Sequence, residues 1–205
     1  VKVCCLSDLH GHLPEVPDCD LLVLAGDYCR DHADAFWYRD AFAPWVDRAA
    51  GRMKIVGVAG NHDFIFERAP HMVPRMNWAY LQDSGVEWGG LKIYGSPWQP
   101  RFFDWAFNAD EPDLKKRWDA IPADTDILVL HGPPYGHGDF SPYGRVHTGS
   151  MSLLTRIEAV QPRLVVAGHI HSGYGTYRIG KTLFVNASLV DEAYRPVNAP
   201  IVVEI

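Results

Sequence analysis

The sequence predicts a mixed α/β sandwich, two packed sheets with helices on their outer faces. Two observations point there. The first half alternates short apolar runs with a helix-like stretch, the β-α-β order that builds parallel sheets through crossover helices. The second half adds glycine-centred hairpins to similar apolar runs, which gives the sheets antiparallel edges.

The elements follow in order. Lys2–Leu6 and residues 21–25 (LLVLA) are short buried strands, and residues 54–59 are a third. Residues 33–50 carry Phe36, Trp37, Phe42 and Trp45 at helical spacing and read as a helix interrupted near Pro44. Residues 86–94 hold Gly89-Gly90 between apolar runs, a hairpin signal. Residues 112–121 read as a helix with Asp110 as a candidate cap, and residues 126–130 as a fourth core strand. Residues 150–160 form a helix stopped before Pro162, and Leu164–Ala167 a fifth core strand. Residues 174–179 and Thr182–Asn186, joined at Gly180-Lys181, form a second hairpin, and residues 201–205 a last strand. Residues 64–80 and 97–110 show no period. Loops of that length are often functional.

A chain of 205 residues suits one domain over 1–205. It is long enough to bury roughly 70% of its unfolded surface without disulfide staples. No window of about 18 apolar residues occurs, so no transmembrane helix is expected. The opening VKVCCLSDLH lacks a basic run followed by an apolar core, so no secretory leader is expected either. Cys4, Cys5, Cys19 and Cys29 contain no C-x-x-C pair, and the adjacent Cys4 and Cys5 point to opposite strand faces. Reduced thiols and a cytoplasmic location are the expectation. The net charge of −6 argues against a stable nucleic-acid polymer partner, whose binding rests on many Lys/Arg–phosphate contacts. A small anionic substrate stays possible if bound divalent metals supply local positive charge.

Five short motifs sit directly after apolar strands. VCCLSDLH places Asp8 and His10, LVLAGD places Asp27, VGVAGNHD places Asn61, His62 and Asp63, LVLHGPP places His131, and VVAGHIH places His169 and His171. Ligands of open α/β sheets bind outside the carboxyl ends of strands, so these residues meet at one edge. In D-x-H and H-x-H, residues two apart in extended chain point the same way. Gly26, Gly60 and Gly168 suit sharp strand exits. Mixed carboxylate, imidazole and amide ligands suit Mn, Fe, Zn or Ni. Any one motif alone is an ordinary turn or surface histidine; five in order, each behind a core strand, make a site.

The set Asp8-Leu9-His10, Gly26-Asp27, Gly60-Asn61-His62-Asp63, His131-Gly132 and Gly168-His169-Ile170-His171 resembles the calcineurin-like metallophosphoesterase superfamily over nearly the whole chain. Tyr94-Gly95-Ser96-Pro97-Trp98, Phe107-Asn108, His131-Gly132-Pro133-Pro134, His171-Ser172-Gly173-Tyr174-Gly175 and Asn186-Ala187-Ser188 are similar to its subfamily of small metallophosphoesterase-domain-containing proteins, which is associated with phosphodiesters including cyclic nucleotides. The resemblance implies a four-layer α/β/β/α sandwich of two mixed sheets. It implies two divalent transition metal ions, manganese favoured. Asp8, His10, Asp27 and His171 would hold one, and Asp27, Asn61, His131 and His169 the other, with a bridging hydroxide as nucleophile. His62 would contact phosphate and protonate the leaving oxygen; the alternative is that it only orients Asn61. Asp63 would open a helix or support the ligands from behind.

One stretch departs from the family's protein Ser/Thr phosphatases. Their G-D-Y-V-D-R-G carries an aspartate that supports the catalytic histidine. Here Gly26-Asp27-Tyr28-Cys29-Arg30-Asp31 has Cys29 at the fourth position and Arg and Asp exchanged, which puts Arg30 where that aspartate stands, so the histidine–carboxylate pair is not expected. Arg30 is a candidate phosphate contact or a solvated surface arginine. His12, His32, His71, His137 and His147 match no ligand position, and His12 is nearest the rim. The aromatic run Trp98, Phe102, Phe103, Trp105 and Phe107 is either a packed loop cluster or a wall for a nucleobase. The function expected is a metal-dependent phosphodiesterase on small phosphodiesters, with a phosphomonoesterase or weak nuclease as the enzymatic alternative. A non-catalytic scaffold is the alternative outside enzymes, against which the intact ligand set counts.

Overall fold

The structure, a computed structural model, describes residues 1–30 and 35–205. Asp31 and His32, and residues 33 and 34 at the start of the first expected helix, lie outside the described residues.

A five-stranded sheet runs in the order Ile201–Glu204, Lys2–Leu6, Leu21–Leu24, Lys54–Gly57, Ala79–Tyr80, and only its first strand is antiparallel to its neighbour. A six-stranded sheet runs Gly175–Ile179, Thr182–Asn186, Leu164–Ala167, Ile127–Leu130, Leu91–Ser96, Ser84–Trp88. Its four inner strands are parallel, and the two expected hairpins close its edges. Gly89 and Gly90 both take positive φ, as a two-residue hairpin turn with the twist of its strands requires.

Strand alternation sorts the side chains into layers. In Lys2–Leu6, Val3 and Cys5 join a cluster with Ile127, Val129, Leu164 and Val166, so these residues pack sheet on sheet. Cys4 and Leu6 face the other way, against Tyr38, Phe42 and Trp45. On the far side, Leu128, Leu130 and Val165 pack against Leu114 and Trp118 of helix Glu111–Asp119 and Leu153 and Ile157 of helix Met151–Val160. The order is therefore helix, sheet, sheet, helix, as expected.

The interruption near Pro44 is a turn of π-helix, Tyr38–Phe42, between Ala35–Trp37 and Ala43–Ala50. The wider turn lets proline, which cannot donate, fall in the first turn of the second segment. Ser150 caps its helix, its Oγ accepting from the Leu153 amide at 3.2 Å. Asp110 sits at the cap position of its helix, but its carboxylate takes Arg101 at 2.8 Å instead. Residues 64–80, read as irregular, contain the short helix Phe64–Arg68 and the strand Ala79–Tyr80, both too brief to show a period.

Candidate metal centre

Five parallel strands deliver the site. Lys2–Leu6, Leu21–Leu24 and Lys54–Gly57 of one sheet, and Ile127–Leu130 and Leu164–Ala167 of the other, end at the same edge, each followed by its motif. Leaving a strand and turning a side chain back to a common centre demands unusual backbone. Asp8, His10, Asp27 and His169 all take positive φ, a region that non-glycine residues keep only where the surroundings fix it.

The glycines have a different reason from the one expected. Only Gly26 needs positive φ, and a Cβ there would also meet the Gly60 amide at 2.6 Å and His131 Nδ1 at 2.7 Å. At Gly60 a Cβ would overlap the Asp27 carboxylate, and at Gly168 the side chains of Ser7 and Asp8. These glycines make room for the carboxylates.

The side chains converge. Asp27 Oδ2 lies 3.4 Å from His131 Nε2, 3.7 Å from His10 Nε2 and 4.0 Å from His62 Nε2. Asp8 Oδ1 lies 3.5 Å from His171 Nε2 and 3.9 Å from His10 Nε2. Asn61 Oδ1 meets His131 Nε2 at 2.8 Å and His169 Nδ1 at 2.7 Å. Among the described residues three trios fit a metal ion by spacing: Asp8, His10 and His171; Asp27, His131 and His169; and His10, Asp27 and His62. The first trio brings together three of the four residues expected for one ion, without Asp27, and the second three of the four expected for the other, without Asn61. The third was not expected and brings His62 to the same centre.

Backbone carbonyls orient three of the imidazoles. His131 Nδ1 is 2.8 Å from the Ala25 carbonyl, His171 Nδ1 is 3.1 Å from that of Asp191, and His62 Nδ1 is 2.8 Å from that of Arg30. A proton on each Nδ1 leaves each Nε2 facing the centre, the tautomer a metal-binding imidazole needs. The Arg30 carbonyl thus does for His62 what an aspartate does in the protein phosphatases. Arg30 itself stands at that aspartate's position, and Cys29 before it is buried with its thiol donating to the His62 carbonyl at 3.3 Å. The Arg30 side chain lies on the exposed surface.

Electrostatics supports a cation here. Burial opposes ionisation of Asp8 and Asp27, yet the facing histidines, His171 first for Asp8 and His131 first for Asp27, hold both carboxyls well below the usual range. Burial also penalises a charged His131, but Asp27 overrides it and lifts the ring to about 9. Burial likewise opposes charge on His171, and Asp8 overrides it, lifting that ring to about 8. Burial pushes His10 down to about 4, and burial with the charge of His131 pushes His169 to about 3. Two buried carboxylates therefore demand positive charge among imidazole nitrogens, with His10 Nε2 and His171 Nε2 only 3.3 Å apart. Divalent cations meet that demand and displace protons in doing so. The donor set fits them.

Supporting residues fill in behind. Asp63 is fully buried at the cap position of Phe64–Arg68, but its carboxylate bonds away from that helix. It accepts from the Gly60 amide at 2.7 Å, the Tyr28 amide at 2.9 Å and the Tyr38 hydroxyl at 2.7 Å, tying the Asp27 turn to the Asn61 turn. Burial, and then the charge of Asp27, raise it to about 6. Ser188 Oγ donates to Asp8 Oδ2 at 2.8 Å. Asn186 Nδ2 donates to the Gly138 and Ile170 carbonyls at 3.0 and 2.9 Å.

A cavity of about 430 Å³ opens over the centre. Its floor is Asp27, Asn61, His62, His169 and His171, and its walls include Arg101, Phe102, Trp105, Tyr143, Glu192 and Tyr194. The aromatic run divides here. Trp105 stacks on His62 with centroids 4.3 Å apart, and Phe102 lines the cavity. Phe107 is core, and Trp98 lies under Arg117 with its indole N–H on Asp83. Tyr143, Glu192 and Tyr194 were not anticipated, since nothing in the residue pattern of their loops marks them. His12 reaches the rim through the Tyr194 carbonyl at 3.2 Å, and His147 pairs with Asp139 at 2.7 Å away from the centre.

Comparison with known proteins agrees with this geometry. The profile of the family described as Calcineurin-like phosphoesterase matches residues 1–173. Metallophosphoesterase domain-containing protein 1 of Homo sapiens is 36% identical over 98% of this chain and 70% of its own length. A UPF0046 protein of Caenorhabditis elegans is 34% identical over 100% of this chain and 81% of its own length. Among solved structures, TT1561 of Thermus thermophilus superposes with a TM-score of 0.66 at 18% identity, covering 90% of this chain and 88% of that one, a likeness of fold.

Proposed function

The chain belongs to the calcineurin-like phosphoesterase family, and on that premise we propose that it is a metal-dependent phosphodiesterase acting on small phosphodiesters, cyclic nucleotides first among them. Asp8, His10, Asp27 and His171 hold one divalent transition metal ion, manganese by preference, and Asp27, Asn61, His131 and His169 hold a second. When bound, the ions supply the charge that draws a phosphate anion and acidifies water. The observation that carries this reading is the position of Asp27 Oδ2, within 3.4 to 4.0 Å of three imidazoles, one of them His10 of the Asp8 trio and another His131 of its own trio.

His62 is the acid in this reading. Its Nδ1–H is fixed on the Arg30 carbonyl, so the acid is the imidazolium, which hands its Nε2 proton to the leaving oxygen and is left as the neutral Nδ1–H ring. The Trp105 stack holds the ring plane. The cavity walls favour a diester over a monoester. Their lining contains one guanidinium, Arg101, already paired with Asp110, and it contains Glu192. A dianionic monoester would find little further positive charge there, while an aromatic substituent on a diester meets Phe102, Trp105, Tyr143 and Tyr194. One domain over 1–205 carries the activity, in keeping with the pairing of Lys2–Leu6 with Ile201–Glu204. The cytoplasm is the proposed location, in keeping with four buried, unbridged cysteines. Among the described residues no helix is long and apolar enough to cross a membrane.

The test compares kcat/KM for a bis-aryl phosphate, an aryl monophosphate, 2′,3′- and 3′,5′-cyclic nucleotides and a single-stranded oligonucleotide, at one salt concentration with manganese supplied. The diesters are expected to lead. A monoester turned over about tenfold better than every diester, more than 1 kcal/mol of preference, overturns the reading.

A further inference from the structure

His10 differs from three of the other imidazoles of the centre. His131, His171 and His62 each tie Nδ1 to a backbone carbonyl. His10 Nδ1 is sealed from solvent and has no hydrogen-bond partner among the described residues. A histidine that binds a metal through one ring nitrogen nearly always has its plane fixed through the other. Around His10 that duty falls to ring edges. His62 meets it at 4.6 Å and 86°, and Tyr194 at 4.7 Å and 88°.

Tyr194 is held in place with some effort. Its φ is +59°, a costly backbone region for a bulky residue. A braced turn enforces it: Asp191 accepts from the Ala193 and Arg195 amides at 2.9 and 3.0 Å and from Arg195 Nε at 2.8 Å. The Asp191 carbonyl accepts from the Tyr194 amide at 2.8 Å and is the same oxygen that faces His171 Nδ1. One turn therefore touches both imidazoles of the Asp8 trio, His171 through a carbonyl and His10 through an aromatic ring, and the Tyr194 ring also meets His171 at 5.5 Å.

We propose that Tyr194 is a positioning residue for His10, its ring replacing the missing hydrogen bond and setting the affinity of the cation site formed by Asp8, His10 and His171. This rests on the ligand set proposed above. The substitutions that test it are Tyr194→Phe, which keeps the ring, and Tyr194→Gly, which removes it and relieves the positive φ. Tyr194→Asn, which also tolerates that backbone region, repeats the test should glycine loosen the turn. The measurement is manganese titration calorimetry on the metal-stripped chain, with Tm recorded for each variant. The phenylalanine variant is expected to bind both ions as the parent does. The glycine and asparagine variants are expected to weaken one of the two binding steps by about 10–100-fold and leave the other unchanged. Unchanged affinity at both steps in the ring-less variants overturns the proposal. So does equal weakening in Tyr194→Phe, which would put the effect on the hydroxyl, or equal weakening of both steps. A parent chain that fails to bind two ions defeats the ligand scheme itself, a separate result.

Discussion

Beneath the floor of the cavity Asp8 and His131 are sealed from solvent, and on the floor Asp27 is nearly so, each bonded from behind by backbone or side-chain groups. On its walls Phe102 is 54% exposed and Tyr143 79% exposed, on loops with only two-residue strand pairings nearby. The floor hangs from five strand ends and the walls from loops. A floor of that kind fixes which chemistry occurs, because charges in a buried site act strongly and cannot move aside. Walls of that kind adjust which molecule is held. The difference predicts a gradient of mutational effect from the centre outward.

The largest effect belongs to Asp27. Asp27→Asn takes away the carboxylate that both proposed metal sites would share. Turnover should fall on the order of 10⁴-fold, since several kcal/mol of charge stabilisation leave with the ions. Elemental analysis should show the bound metal falling with it. Full metal content together with full activity would end the two-ion scheme and erase the distinction between floor and wall.

His62 stands where the two regions meet, with Nε2 toward Asp27 and one ring face on Trp105. For a substrate with a poor leaving group, His62→Asn should lower turnover by roughly 10²–10⁴, the usual worth of acid–base help, with metal content near normal. The loss should shrink for a nitrophenyl ester, whose oxygen needs no proton. Equal loss for both esters would make His62 a phosphate-positioning group. Loss of metal would instead favour the trio of His10, Asp27 and His62.

The floor was legible in the sequence and the walls were not, for a physical reason. A ligand at a strand end inherits its position from an apolar run that can be read, so Asp8, Asp27, Asn61, His131, His169 and His171 could be placed on one edge in advance. The walls come from residues 97–110, 134–150 and 191–196, which have no period to say which side chain turns inward. Hence Trp98 and Phe107 could not be told from Trp105, and Tyr194 was not seen. Contacts made by backbone atoms are equally silent. Nothing in the letters at Cys29 and Arg30 says that a carbonyl takes over from a missing carboxylate.

Below the floor, Asp63 tests stability apart from chemistry. Asp63→Ala leaves the buried donors of Tyr28, Gly60 and Tyr38 without an acceptor and should destabilise by about 3–5 kcal/mol. For a chain of this size that is a fall in Tm of roughly 6–20 °C. Asp63→Asn keeps one acceptor and should lose less. If both variants melt with the parent while activity falls, Asp63 acts on the chemistry and not as a support.

The smallest effect belongs to the outer walls, and it separates wall from floor by which kinetic constant moves. Phe102 and Tyr143 line the cavity but keep much of their surface in water, so each can offer a substrate only part of the roughly 1–3 kcal/mol of a full base stack. Phe102→Ala and Tyr143→Ala should each raise KM about threefold to tenfold for a diester with a flat substituent. They should leave kcat unchanged, because neither ring touches a group of the centre. For a diester with only small alkyl substituents, KM should not move, since there is nothing to stack. Trp105→Ala is the contrast. Its ring stacks on His62 at 4.3 Å, so its loss should appear in kcat and persist with the alkyl diester. Were Phe102→Ala to lower kcat alone, or Trp105→Ala to change KM alone, the boundary between floor and wall would have to be redrawn through the aromatic run itself.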